Sequence, residues 1–112
     1  MLSHQERQQI RHEIGSVNNE IERIKGEIDQ IKDELQSGYQ EMQGLREDQR
    51  YHIRESKKAH MRFDGYQGGH IDAAIGGLYQ AMEKLKSRKN ALFQQKNELH
   101  ERKSQLLAIL NS

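Results

Sequence analysis

Six histidines are the residues of this chain best suited to hold a metal or move a proton: His4, His12, His52, His60, His70 and His100. None has another histidine four residues away, and none begins a His-Glu-x-x-His run. That run sets two imidazoles on one helix face around zinc, with a carboxylate as base. The sequence has no cysteine, which removes thiolate metal sites and disulfides. Gly65, Gly68 and Gly69 follow no strand pattern, so they do not read as a phosphate-binding loop. No catalytic residue, metal ligand or cofactor site is expected, and an enzyme is not expected.

A second chemistry to weigh is phosphate recognition. Residues 50–62 carry Arg50, Arg54, Lys57, Lys58 and Arg62, with His52 and His60 between them and Glu55 as the one acid. Such a run could contact nucleic-acid phosphates. It lacks a flanking set of aromatics for base stacking, and the whole chain is nearly neutral at +1. It reads as a solvated helix face balanced by acidic neighbours, so no nucleic-acid partner is expected.

The elements that position these residues are helices. Hydrophobic residues make up 33% of the 112 and charged residues 31%, with two Phe and no Trp. That is too little apolar material for a rounded core but enough for a narrow coiled-coil seam. Ile10, Ile14, Val17, Ile21, Ile24, Ile28, Ile31 and Leu35 alternate spacings of four and three, the heptad pattern of supercoiled helices. The seam continues through Gly38 or Tyr39 to Met42 and Leu45, then meets polar Gln49 and His52. Gly15, Gly26, Gly38 and Gly44 each cost a helix ~1 kcal/mol against alanine, so packing rather than propensity must hold it.

In the second half Ile71, Ile75, Leu78, Met82 and Leu85 take the same spacing, and leucines recur every seven residues from Leu78 to Leu106. Lys89, Lys96 and Lys103 occupy the alternate seam positions. They either weaken pairing of this helix with its own copy or run along the seam edge with their amines in water. Proline is absent, which suits long uninterrupted helices. The expected fold is all-α: one antiparallel, coiled-coil-like two-helix hairpin over residues 1–112. Helix 1 is expected at about 3–60, the turn at about 61–70 and helix 2 at about 71–110, the first helix being the longer.

Charge supports an antiparallel pairing. Residues 1–49 hold 11 acids and 6 bases, and residues 50–112 hold 6 acids and 12 bases. With a bend centred near 66–67, Leu110 is expected opposite Arg23. Ile10, Ile14, Val17 and Ile21 are then left without a partner inside the chain, and they are the expected partner-binding seam. The turn itself is expected at Phe63, Gly65, Gly68 and Gly69, where glycine tolerates the positive φ of a reversal.

Phe63-Asp64-Gly65 is an aromatic-x-Gly at the bend of a short helical hairpin. In this the chain resembles the Trp-x-Gly (WxG-like) hairpin proteins of type VII secretion. With its longer first helix it is similar to the small accessory proteins encoded beside LXG toxins. Phe63 stands where that family has tryptophan. The family's tail signal, Tyr-x-x-x-Asp/Glu, is spelled only by Tyr79 and Glu83, early in the second helix. The resemblance implies an adaptor or chaperone that binds the helical N-terminal domain of a secreted toxin and targets it for export. A sister small helical protein is a further implied partner. The alternative is a structural coiled-coil subunit that pairs with its own copies. The polar first residues and the lack of a long apolar run lead to an expectation of a cytoplasmic protein without membrane insertion, co-exported, if at all, without a cleaved leader.

Overall fold

The structure is a computed structural model that describes residues 1–58 and 68–112. Two helices fill these ranges: α1, His4–Lys58, and α2, Gly69–Leu110, of 55 and 42 residues. The fold is the expected all-α helical hairpin with a longer first helix. Phe63 and Gly65, two of the four turn residues, lie outside the described residues.

Both helix starts have a local cause. Ser3 Oγ accepts a hydrogen bond from the Glu6 backbone N–H at 3.1 Å, and Glu6 Oε1 accepts one from the Ser3 N–H at 3.4 Å. This is a capping box, spelled Ser-x-x-Glu in the sequence. At α2 the Gly68 carbonyl accepts from the N–H groups of Ile71 and Asp72. Gly68 is therefore the N-cap, and Gly69, expected in the turn, is the first helical residue. Helix 2 thus begins two residues earlier than its apolar spacing indicated.

Contacts gather into two compact units, Met1–Ile31 with Arg88–Ser112, and Lys32–Ser87. In the first unit Val17, Ile21 and Leu106 form a buried cluster, with Ile10, Ile14 and Leu99 packed against it. Ile24, Ile28, Ile31 and Leu92 are buried as well, Ile24 to 1% exposure. Each such side chain contributes ~1.5–3 kcal/mol on leaving water.

This overturns the expected place of the N-terminal stripe. Val17 and Ile21 are only 8% and 3% exposed, and Ile10 and Ile14 are half-buried. A bend symmetric about 66–67 would put Leu106 opposite Glu27, yet Leu106 packs with Val17 and Ile21. Glu27 instead meets Arg88, and Glu13 meets Arg102. The physical reason is that the chain does not reverse symmetrically. In the second unit His52 lies beside His70, the second residue of α2, so α1 runs on past the level at which α2 begins. Within the first unit, Leu106 and Leu99 cover the stripe.

Among its described residues the second unit buries fewer large hydrophobic side chains. Leu35, Gly38, Ile71 and Met82 are buried, while Met42, Leu45, Ile75, Leu78 and Leu85 are half-buried. Gly38 is the seam glycine with a packing role. A Cβ there would stand 3.1 Å from both Cγ and Sδ of Met82. The missing side chain is the hole that Met82 fills. Gly15, Gly26, Gly44, Gly76 and Gly77 have nothing within 4 Å of where a Cβ would be.

Candidate protein-binding surface

The heptad sorts the residues beside the seam into columns, and contacts show which columns face each other. In the first unit Glu13 pairs with Arg102 at 2.6 Å and Glu27 with Arg88 at 3.3 Å. Glu13, Glu20 and Glu27, seven residues apart, thus flank one side of the seam. In the second unit Lys86 Nζ lies 5.7 Å from the Tyr39 ring centroid. Tyr39 flanks the other side of the seam, as its place in the heptad requires.

Within Lys32–Ser87 the two sides differ in chemistry. The side marked by Tyr39 carries Lys32, Tyr39, Arg46 and Ile53 from α1, with Asp72, Tyr79 and Lys86 from α2. Tyr39, Ile53 and Tyr79 are 53%, 41% and 58% exposed. The Lys86 ammonium is held above the usual lysine range, chiefly by the Tyr39 hydroxyl and then by Glu83, whose Oε1 is 3.4 Å away. Basic groups are therefore interleaved with outward aromatic and aliphatic side chains. By the same heptad the opposite side carries Glu34, Glu41 and Asp48 on α1 and Ala74 and Ala81 on α2, all exposed. Among the described residues those three acids make no ion pair.

The polar residues that enter the seam are satisfied locally. Gln49 Nε2 donates to Asp72 Oδ1 at 2.7 Å, and the His52 and His70 rings meet edge to face at 6.1 Å. Lys89, Lys96 and Lys103 are half-buried, and Lys96 Nζ stands 5.7 Å from the Phe93 ring centroid. Tyr79 is exposed, and Glu83 is engaged with Lys86. From the basic run, Arg50 and Arg54 line an open surface hollow with Glu47 and Ile53, and Lys58 pairs with Glu55 at 3.8 Å.

Among the described residues no three His, Asp or Glu side chains gather as metal ligands, and no helix is long and apolar enough to cross a membrane. The sidedness was open to sequence reasoning. Glu6, Glu13, Glu20, Glu27, Glu34, Glu41 and Asp48 stand at strict seven-residue intervals. Arg88 and Arg102 are as far apart as Glu13 and Glu27, which encodes the register directly. No family model, curated protein or solved structure matches this sequence.

Proposed function

We propose that this chain is a non-enzymatic binding protein that receives a helical partner along the Tyr39 side of its seam. The resemblance of Phe63-Asp64-Gly65 and of the hairpin plan gives that partner a class. It is the helical N-terminal domain of a secreted toxin, which the chain accompanies to a type VII exporter. The observation that carries the reading is the incomplete cover of the second unit. Leu78 and Leu85 stay half-exposed after pairing with α1, and Tyr39, Ile53 and Tyr79 point outward beside them. A partner helix laid there would cover all five, and aromatic anchors of this kind dominate binding energy when they fill a partner's hollows.

The test is co-expression with the N-terminal domain of an LXG-type toxin encoded beside this chain in its own genome. A tagged toxin domain is expected to retain the wild-type chain. Tyr39→Ala with Tyr79→Ala should weaken retention at least tenfold while leaving helical content unchanged. Equal retention of the double variant would remove this surface from the reading, and no retention of the wild type would remove the toxin partner.

A further inference from the structure

We infer that a second copy of this chain docks its acidic side onto the basic, aromatic side of the first, within Lys32–Ser87. The surface is the one assigned above to a partner helix; the occupant differs, and the argument adds charge and spacing to the exposure of Tyr39 and Tyr79 used there.

Three observations converge. The first is charge: one side carries Arg46 and Lys86, and the other carries Glu34, Glu41 and Asp48 without an ion pair among the described residues. Opposed charge columns steer and register an interface more than they strengthen it. The second is shape. Tyr39 and Tyr79 project, at 53% and 58% exposure, while the acidic side carries exposed Ala74 and Ala81, whose single methyl groups would serve as the recess for those rings. Rings set into such a recess are covered on both faces, which is where aromatic residues contribute most at interfaces. The third is spacing. Tyr39 and Arg46, Tyr79 and Lys86, Glu34 and Glu41, and Ala74 and Ala81 are each one heptad apart. Projecting rings and cations on one copy thus share a period with recesses and carboxylates on the other.

Two acidic sides repel through Glu34, Glu41 and Asp48, and two Tyr39 sides, where Asp72 stands among the cations, match opposite charges less fully than an acidic side against a Tyr39 side. The contact is therefore heterologous: each docked copy leaves one acidic and one basic side open. Association of this type does not stop at two unless it closes into a ring. Attraction between exposed charges is also screened by salt.

The experiment is sedimentation equilibrium of the purified full chain at 50 mM and 500 mM NaCl over a range of concentrations. The average mass is expected to rise past that of a dimer at low salt and to fall at high salt. Arg46→Glu with Lys86→Glu should weaken association at least tenfold, and so should Glu34→Lys with Glu41→Lys. Mixing these two variants should restore association, because the reversed basic side of one again meets an opposite charge on the other. Tyr39→Ser with Tyr79→Ser, which leaves every charge in place, should also weaken it at least tenfold. Circular dichroism confirms that each variant is helical. Three results would overturn the inference: a monomer at every concentration at low salt, association untouched by either charge reversal, or a mixture that fails to recover. A monomer would leave the surface to the helical partner, whose own test uses the toxin domain and is read separately.

Discussion

The unit formed by Met1–Ile31 and Arg88–Ser112 and the unit Lys32–Ser87 use the same two helices to different ends. In the first, β-branched isoleucines fill nearly every seam position of α1, and Leu92 and Leu106 close over them. Its flanking acids meet arginines at Glu13–Arg102 and Glu27–Arg88. In the second, a glycine, a methionine, a glutamine and a histidine take seam positions, and the heptad sets alanines rather than arginines on the side of the α1 acids. One unit spends its apolar residues on internal cohesion. The other leaves them turned outward beside unbalanced charge. With so few hydrophobic residues in the chain, the first unit buries most of its own, and the second leaves the exposed side chains on which the proposed recognition rests.

The sharpest way to break that division is to remove a seam side chain from each unit. Ile24→Ala should cost ~2–5 kcal/mol, because the side chain is 1% exposed and its neighbours cannot all collapse into the gap. Leu85→Ala should cost clearly less, since half-exposed Leu85 already contacts water. Urea unfolding of both variants checks this, and equal losses would mean the second unit is packed as firmly as the first. The same contrast bears on the N-terminal stripe. Ile14→Asp with Ile21→Asp should unfold the first unit outright, as a carboxylate at Ile21 would replace a side chain packed with Val17 and Leu106. A stably folded double variant would show that the cluster contributes little.

Much of this plan was legible in the residues. The alternation of four and three from Ile10 to Leu35 sufficed for a helix and its seam face, and the absence of proline for its length. Register is not legible in the same way, because a bend symmetric about 66–67 sets Leu106 opposite Glu27 and the structure does not. Nothing in the spacing of Ile53 or Ile71 shows that α1 passes the start of α2. The information lay instead in charged columns that hydrophobic periodicity ignores. The acids repeat every seven residues, and Arg88 and Arg102 match the interval from Glu13 to Glu27. The proposed binding surface is hidden in the sequence for a related reason. Tyr39 and Tyr79 read as weak seam residues or chance motif members until their column beside the seam was known. Gly38 read as a helix defect, whereas it is the hole for Met82.

Glycine provides the next comparison, with effects of opposite sign. Gly26→Ala and Gly44→Ala have open space for the new methyl group, so each should raise stability by ~0.5–1 kcal/mol through lower backbone entropy in the unfolded chain. Gly38→Val should lower it by ~1–3 kcal/mol, because branching at Cβ drives into Met82 and overpacks the seam. Melting temperatures of the three variants read the signs directly. A stabilised Gly38→Val would mean that Met82 moves aside freely and does not set the register of its unit.

The smallest effect concerns the charge pairs that distinguish the first unit. Arg88 and Glu27 lie 3.3 Å apart with side chains 64% and 31% exposed, and Arg23 also contacts Glu27. Water and salt screen such a pair, and holding two long side chains costs entropy, so the coupling between Glu27 and Arg88 should be ~0.2–1 kcal/mol. A double-mutant cycle with Glu27→Gln and Arg88→Gln isolates it from the other interactions each residue makes. The matching cycle places an arginine in the second unit, Ala81→Arg, with Glu34→Gln as its partner change. Ala81 precedes Arg88 by one heptad as Glu34 follows Glu27, so the introduced arginine should gain a coupling of similar size. It should also fill part of the recess on the acidic side. If Ala81→Arg shows no coupling to Glu34, the acidic column of the second unit does not face Ala81, and the proposed recess is lost with it.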